Sequence, residues 1–401
     1  MIPTIRLFFG AFALLALAGC ASPQPLAPLA TAHPAAVESI AAAVTLRVTV
    51  PTATPVGDTV FIAGSFQAWN PGSTPHALTR QIDGRWTITL DLTPGSQIQF
   101  KFTRGSWTRV EKGVNGEEIA DRVLTPAAGQ TYDFTVARWA DLGTITGNVT
   151  SFTYAPFLGG RRVWVYLPPG YAQSSERYPV LYMLDGQNLF DVRTSFAGEW
   201  KVDEACESLI GSGELRPLIV VGIENGGASR ITEYTPWPDP SYGGGGAELH
   251  LLAIRDQLIP EVDARYRTLA GPNFRWMAGS SLGGLMSYYA GLAHADTWTR
   301  IAALSPSIWW DNRHMLSYAA SRGRAGLVRV YQDMGTAEGS AQYITDLRDM
   351  RTRFVDMGFG VNLDLLHIEA AGATHSESYW ALRTPQMLKF IAGNSATASV
   401  P

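Results

Sequence analysis

The chain predicts a small all-β sandwich followed by a larger α/β domain, with a mostly parallel sheet covered by helices on both faces. Three observations carry this. From about residue 40 to 138, short runs of β-branched and aromatic residues are separated by Gly, Pro, Asn and Asp. From about 148 to 392, strand-like runs alternate with helical ones. The 401 residues leave room for two or three domains of roughly 100–200 residues each, and a 46% hydrophobic content supplies their cores.

Residues 1–20 read as an export leader. Arg6 gives a positive flank, and Leu7 to Ala18 is apolar but shorter than the about 20 residues that a bilayer span needs. The run closes in Leu17-Ala18-Gly19-Cys20, which resembles the lipobox of bacterial lipoproteins. That resemblance implies cleavage before Cys20 and lipid on its sulfur. It also implies a place in the cell envelope and, if the cell is Gram-negative, Ala21 in place of the Asp linked with inner-membrane retention points to the outer membrane or periplasm. No later stretch qualifies as a transmembrane helix. Residues 21–39, rich in Ala and Pro, read as an extended tether.

The two cysteines are Cys20 and Cys206, so a lipidated Cys20 leaves no intramolecular disulfide. Cys206 lies at helical spacing between Val202 and Ile210 and reads as an inert packing thiol. Lys+Arg 31 against Asp+Glu 35 gives a formal net charge of -4. No charge excess is directed at nucleic acid or an anionic membrane, so the expected membrane contact is the lipid alone.

The sandwich, 40–138, is assembled from Thr45–Val50, Thr59–Ala63, Trp86–Leu92, Gln97–Phe102 and Tyr132–Val136, read as antiparallel strands. Phe61-Ile62-Ala63-Gly64-Ser65-Phe66-Gln67-Ala68-Trp69-Asn70-Pro71, with Gly84-Arg85-Trp86 and Phe100-Lys101-Phe102, resembles starch-binding-type carbohydrate modules. That likeness implies a polysaccharide partner and puts Trp69 and Lys101 at sugar-binding positions. The second stacking position falls at Val110, with Trp107 as the available substitute. The alternative is a structural adaptor with Trp69 in its core. Residues 139–147 read as the linker.

The α/β domain, 148–392, opens with the pair Phe152–Phe157 and Arg162–Leu167 joined through Gly159-Gly160, a hairpin signal. Strand runs follow at Val180–Leu184, Leu218–Ile223, Arg275–Ala278, Ile301–Leu304, Val328–Tyr331 and Leu363–His367, with helix patterns at Leu251–Tyr266 and Leu282–Leu292. Residues 393–401 read as a tail.

Chemistry shows at Gly279-Ser280-Ser281-Leu282-Gly283. A strand run precedes it and Leu285-Met286-Ser287-Tyr288-Tyr289-Ala290 continues it as a helix, the strand, turn and helix of a nucleophile elbow. Small residues flank the serine because the turn is too tight for side chains. Ser281 needs a base. Of the seven histidines, His33 lies in the tether and His76 in the sandwich, His250 and His294 fall in helix patterns, His314 follows a Trp-rich loop and His367 ends a strand. His375 stands in a small-residue loop after the last strand, where a hydrolase base belongs.

An acid between Ser281 and His375 is required to orient that base. Asp333 and Glu338 both follow the strand at Val328, and the Gly335-Thr336-Ala337-Glu338 turn favours Glu338, because Asp333 is close enough to the strand end to bond the loop. The oxyanion donors are expected to be the N–H groups of Leu282 and Gln187, the latter in the turn Leu184-Asp185-Gly186-Gln187. Asp185 is open to a structural role or a substrate hydroxyl.

Together these segments resemble the esterase family of α/β-hydrolases that includes feruloyl esterases, enterochelin-type siderophore esterases, esterase D and mycobacterial mycolyltransferases. The further carriers are Val221-Gly222-Ile223-Glu224-Asn225, Arg230, Glu233-Tyr234-Thr235-Pro236-Trp237, Leu304-Ser305-Pro306-Ser307-Ile308-Trp309-Trp310 and Gly372-Ala373-Thr374-His375-Ser376-Glu377. The resemblance implies an α/β-hydrolase fold, a Ser-His-acid triad, acyl-enzyme chemistry, and no metal or other cofactor. Arg230, Trp237, Trp309 and Trp310, on loops after strands, are candidates to bind substrate, with packing the competing role of each Trp. Three physiological readings compete: hydrolysis of carbohydrate-linked feruloyl or acetyl esters, hydrolysis of siderophore esters, and a glycan-binding surface lipoprotein with a vestigial hydrolase.

Overall fold

In the first domain, alternating side chains on Ala42–Thr49 and Trp86–Leu92 turn Val44, Leu46, Val48, Trp86, Ile88, Leu90 and Leu92 inward. A computed structural model describes residues 41–393 except Asn115 and Ala325. Cys20, the leader and the tether lie outside the described residues, as does most of the tail. One sheet runs Thr79–Arg80, Trp86–Leu92, Ala42–Thr49, Thr131–Thr135; a second runs Phe61–Gly64, Ile98–Thr103, Arg122–Leu124. Phe100 and Phe102 from the second sheet meet Phe134 from the first in the core.

The sandwich is not wholly antiparallel, because Ala42–Thr49 pairs in parallel with Thr131–Thr135, which enters beside it after the chain has crossed from the other sheet. Trp139, placed at the start of the linker, is 1% exposed and packs in the sandwich core, where its indole donates to Thr54 at 2.8 Å.

The second domain is an eight-stranded sheet. Its strands are β1 (Asn148–Tyr154), β2 (Arg161–Leu167), β3 (Val180–Leu184), β4 (Ile219–Ile223), β5 (Arg275–Ser280), β6 (Arg300–Leu304), β7 (Arg329–Gly335) and β8 (Leu365–Ala370). The order is β1-β2-β4-β3-β5-β6-β7-β8. β1 and β2 form the expected hairpin, β2 meets β4 antiparallel, and the other pairings are parallel.

Both faces are covered, which is why the central strands read as unbroken apolar runs. Tyr182, Leu184 and Met277 point to one side and join the helix Leu282–Ala293, the helix Ala341–Asp356 and the segment Ala247–Arg265. Leu181, Met183, Trp276 and Ala278 point to the other and join the helices Val202–Gly211 and Glu377–Ala392. Cys206 lies in that second layer, fully buried, where burial pushes its thiol well above the ordinary range, an inert packing position. Among the described residues no helix is long and apolar enough to cross a membrane.

Candidate active site

The candidate residues gather where the parallel strands end, at the carboxyl edge where sites of such sheets form. Ser281 follows β5 with φ 57° and ψ -121°, and the helix Leu282–Ala293 starts on the next residue. This left-handed serine is strained backbone held by its surroundings. The turn closes because Gly279 has no side chain: a Cβ there would lie 2.7 Å from the backbone of Gly283. Ser281 N–H donates to Leu304 O at 3.0 Å and Ser281 O accepts from Ser307 N–H at 3.0 Å, which tie the elbow to the end of β6.

His375, 41% exposed at its side chain, presents Nδ1 to Glu338 Oε2 at 2.8 Å. Its ring edge packs on Trp380, with centroids 5.1 Å apart. Glu338 Oε1 accepts from Gly335 N–H at 2.7 Å and from the Ser305 hydroxyl at 2.5 Å. Burial would raise the pKa of this carboxyl, but the bonds from His375, Ser305 and Gly335 outweigh it and hold it below the ordinary range. An ionised carboxylate only accepts, so the proton of this contact sits on Nδ1 and the other ring nitrogen is left to act as a base.

Asp333, the other acid, is fully buried inside β7 and turned elsewhere. It accepts from Tyr331 OH at 2.7 Å and from Ser305 N–H at 3.2 Å, and pairs with Arg383 at 2.9 Å. Burial pushes its carboxyl up against the pull of Arg383. It therefore does more than the expected loop bonding: it anchors the helix Glu377–Ala392 under the site.

Neither the Leu282 nor the Gln187 main-chain N–H donates to a protein acceptor among the described residues. The two turns are close, since a Cβ on Gly283 would lie 3.4 Å from Leu184 and 3.5 Å from the Asp185 carboxylate. Gly186 is required by contact: a Cβ there would meet the Gly222 backbone at 2.5 Å. The Gln187 side chain accepts from Asn225 N–H at 3.3 Å, and its carbonyl accepts from the Thr194 hydroxyl at 2.7 Å.

Several substrate candidates are committed to the protein instead. Asp185, 3% exposed and at φ 56°, takes both 2.7 Å bonds of the Arg230 guanidinium and one of 2.6 Å from Asn225. Asp185 and Arg230 satisfy each other, and Arg230 also lies over the ring of Tyr234. Trp310 is 2% exposed and donates to Trp237 O at 2.7 Å. Trp237 is half-buried, stacked on His314 at 4.2 Å and edge-on to Tyr289 and Tyr318. Trp309 remains 37% exposed beside Tyr242.

In the sandwich, Trp69 and Trp107 come together with ring centroids 6.3 Å apart, and Trp107 is 44% exposed. Lys101 is not presented with them in the same way: it is 9% exposed, with its ammonium on Ile119 O at 2.5 Å.

Ser305, Ser307, Trp380 and Arg383 had no role from sequence. Ser305 and Ser307 lay in a segment that carries the family resemblance, which gave them no role of their own. Arg383 had a faint signal, a charge in the stripe Trp380, Thr384, Met387 and Leu388 that the last helix buries.

The sheet order, the elbow after β5 and the acid and histidine after β7 and β8 define an α/β hydrolase. Residues 158–391, more than half of the chain, match the family described as "Putative esterase", and the chain belongs to it; it is an ester hydrolase. An uncharacterized protein, YbbA, of Bacillus subtilis is 30% identical over 249 residues, 59% of this chain and 94% of that protein. An alpha-amylase of Niallia circulans is 48% identical over 105 residues, 26% of this chain and only 8% of the amylase. Among solved structures, the enterobactin esterase FES of Shigella flexneri, crystallised in the presence of enterobactin, has a TM-score of 0.51 at 16% identity, covering 82% of this chain and 87% of that one. This last likeness is one of fold.

Proposed function

We propose that the protein is a serine esterase working through an acyl-enzyme on carbohydrate-linked esters, feruloyl or acetyl. The observation that carries the mechanism is the 2.8 Å contact between His375 Nδ1 and Glu338, on the same strand-end edge as the strained Ser281. Ser281 Oγ attacks the ester carbonyl while the free ring nitrogen of His375 takes its proton. Glu338 keeps the imidazole in the required tautomer. The N–H groups of Leu282 and Gln187 hold the oxyanion. His375 returns the proton to the departing alcohol, and water, deprotonated by His375, then releases the acid and restores Ser281.

Ser281 Oγ lies 3.4 Å from Ser307 Oγ, and among the described residues no hydrogen bond joins it to His375. Catalytic contacts of this kind are commonly long until substrate is bound.

The carbohydrate reading draws support from the paired Trp69 and Trp107 and from the amylase-like stretch. Siderophore ester hydrolysis is the second reading, favoured by a stretch of 158 residues, 39% of this chain, that is 27% identical to 32% of an iron(III) enterobactin esterase of Dickeya dadantii. A binding lipoprotein with an idle hydrolase is the third; the oriented His375 and Glu338 speak against it. We place the chain at the cell envelope on the lipobox-like Cys20, and Cys20→Ala should release it from the membrane fraction. Parallel assays on methyl ferulate, acetylated xylan and enterobactin test the substrate. Turnover of enterobactin alone would overturn the carbohydrate reading.

A further inference from the structure

Away from the candidate triad, three carboxylates converge where the linker meets the α/β domain. Glu199, Asp203 and Glu204 each offer an oxygen within 4.8 Å of the other two. Glu199 closes the loop from Asp191, and Asp203 and Glu204 open the helix Val202–Gly211. Glu199 and Asp203 are 0% exposed.

Each of these two has one oxygen accounted for. Glu199 Oε1 accepts from the Thr144 hydroxyl at 2.8 Å, and Asp203 Oδ2 accepts from Thr146 N–H at 2.6 Å. Glu199 Oε2, Asp203 Oδ1 and Glu204 Oε2 are buried with no hydrogen-bond partner among the described residues. Native proteins rarely leave buried carboxylate oxygens in that condition, because their desolvation is then uncompensated. Arg138 and Lys201 offset part of the charge on Glu199.

We propose that Glu199, Asp203 and Glu204 form a divalent-cation site suited to calcium, which fastens the linker to the catalytic domain. The donors are hard oxygens, and calcium, with ligands at about 2.4 Å, spans oxygens up to about 4.8 Å apart in irregular geometry. Waters complete the coordination. Burial, and then the neighbouring Glu204, raise the carboxyls of Glu199 and Asp203 above the ordinary range, so protons compete with a cation for this cluster.

The ion would fasten more than the linker. Thr144 also accepts from Val192 N–H at 2.9 Å, at the start of the loop that ends in Glu199. Within that loop Phe196 N–H donates to Asn188 Oδ1 at 3.0 Å, and Asn188 donates to Glu377 at 3.2 Å, two residues from His375. A calcium site here is therefore coupled, through one loop, to the segment carrying the candidate base.

The test uses the purified chain, stripped with EDTA and titrated with terbium or calcium. The expected result is terbium luminescence, sensitised by the adjacent Trp200, that saturates at one ion per chain and is displaced by calcium. Calcium in large excess over its dissociation constant should also raise Tm by about 5 °C. Glu204→Gln should lose both responses, yet melt no lower than the parent in EDTA, since it removes a repelling charge; Glu199→Gln serves as the second variant. A parent chain with no terbium emission and no calcium shift, stabilised only by acid, would overturn the proposal in favour of shared protons. Ion responses that persist in both variants would overturn it as well.

Discussion

Ser305 donates its hydroxyl to Glu338 Oε1 at 2.5 Å while accepting from Trp380 Nε1 at 2.9 Å and from Arg383 at 3.0 Å. One buried hydroxyl, on a residue with φ 44° at the end of β6, thus locks the candidate acid to the last helix. Ser305→Ala leaves the Trp380 indole N–H and one N–H of the Arg383 guanidinium without their acceptor and frees one side of Glu338. The expected cost is about 2–3 kcal/mol in denaturant unfolding and roughly a tenfold fall in kcat, with KM little changed. Unaltered kcat would show that Glu338 needs no such support.

Glu338 and Asp333 should separate cleanly by kinetics and stability. Glu338→Gln keeps the shape but loses the charge that orients His375, so kcat should fall roughly 10³- to 10⁴-fold in a protein that still folds. Asp333→Asn strands the Arg383 guanidinium inside the domain and should lower stability by about 3–5 kcal/mol, its activity loss following its unfolding. Thermal melts beside initial rates at low temperature distinguish the two patterns.

His250 gives a pH signature of stability. It is 2% exposed, lies edge-on to Tyr234, has no hydrogen bond at either ring nitrogen among the described residues, and stands 3.8 Å from Glu233. Burial lowers its pKa from 6.5 to about 4. Between those values the unfolded chain binds the proton and the folded chain does not, so stability falls as pH drops from 6.5 to 4, by up to about 3 kcal/mol from this group. Glu233, whose carboxyl is held low against its burial by Arg161 and His250, adds a loss of the same sign further into acid. His250→Phe should flatten the upper part of that slope in unfolding measured against pH.

Trp69 and Trp107 can be tested apart from catalysis. Trp69→Ala and Trp107→Ala should each weaken retardation on immobilised starch by on the order of tenfold, as loss of an aromatic anchor does, while turnover of a small soluble ester stays at the parent's rate. Equal retardation of parent and variants would assign the pair to packing.

What the sequence made legible was local. The elbow could be read because strand, turn and helix are contiguous from Arg275 to Ala293, and His375 because chain order places the base after the last strand. The choice between Asp333 and Glu338 was not local: it depends on Arg383, which arrives from a helix about fifty residues downstream and takes Asp333 for itself. Arg230 stood as a candidate to bind substrate for the same reason, its partner Asp185 lying 45 residues earlier. Adjacent Trp309 and Trp310 gave no sign of which would face solvent, since a helix entry turns neighbours to different sides. The parallel pairing of Ala42–Thr49 with Thr131–Thr135 joins the two ends of the sandwich, beyond the reach of any short pattern.

Whether Ser281 carries the acyl group is decided by p-nitrophenyl acetate turnover by Ser281→Ala beside the parent chain. Loss of the Ser281 hydroxyl should lower kcat on the order of 10⁶-fold, to the level of background hydrolysis, with an unchanged thermal melt. A variant that folds normally and retains turnover within about tenfold of the parent would contradict it.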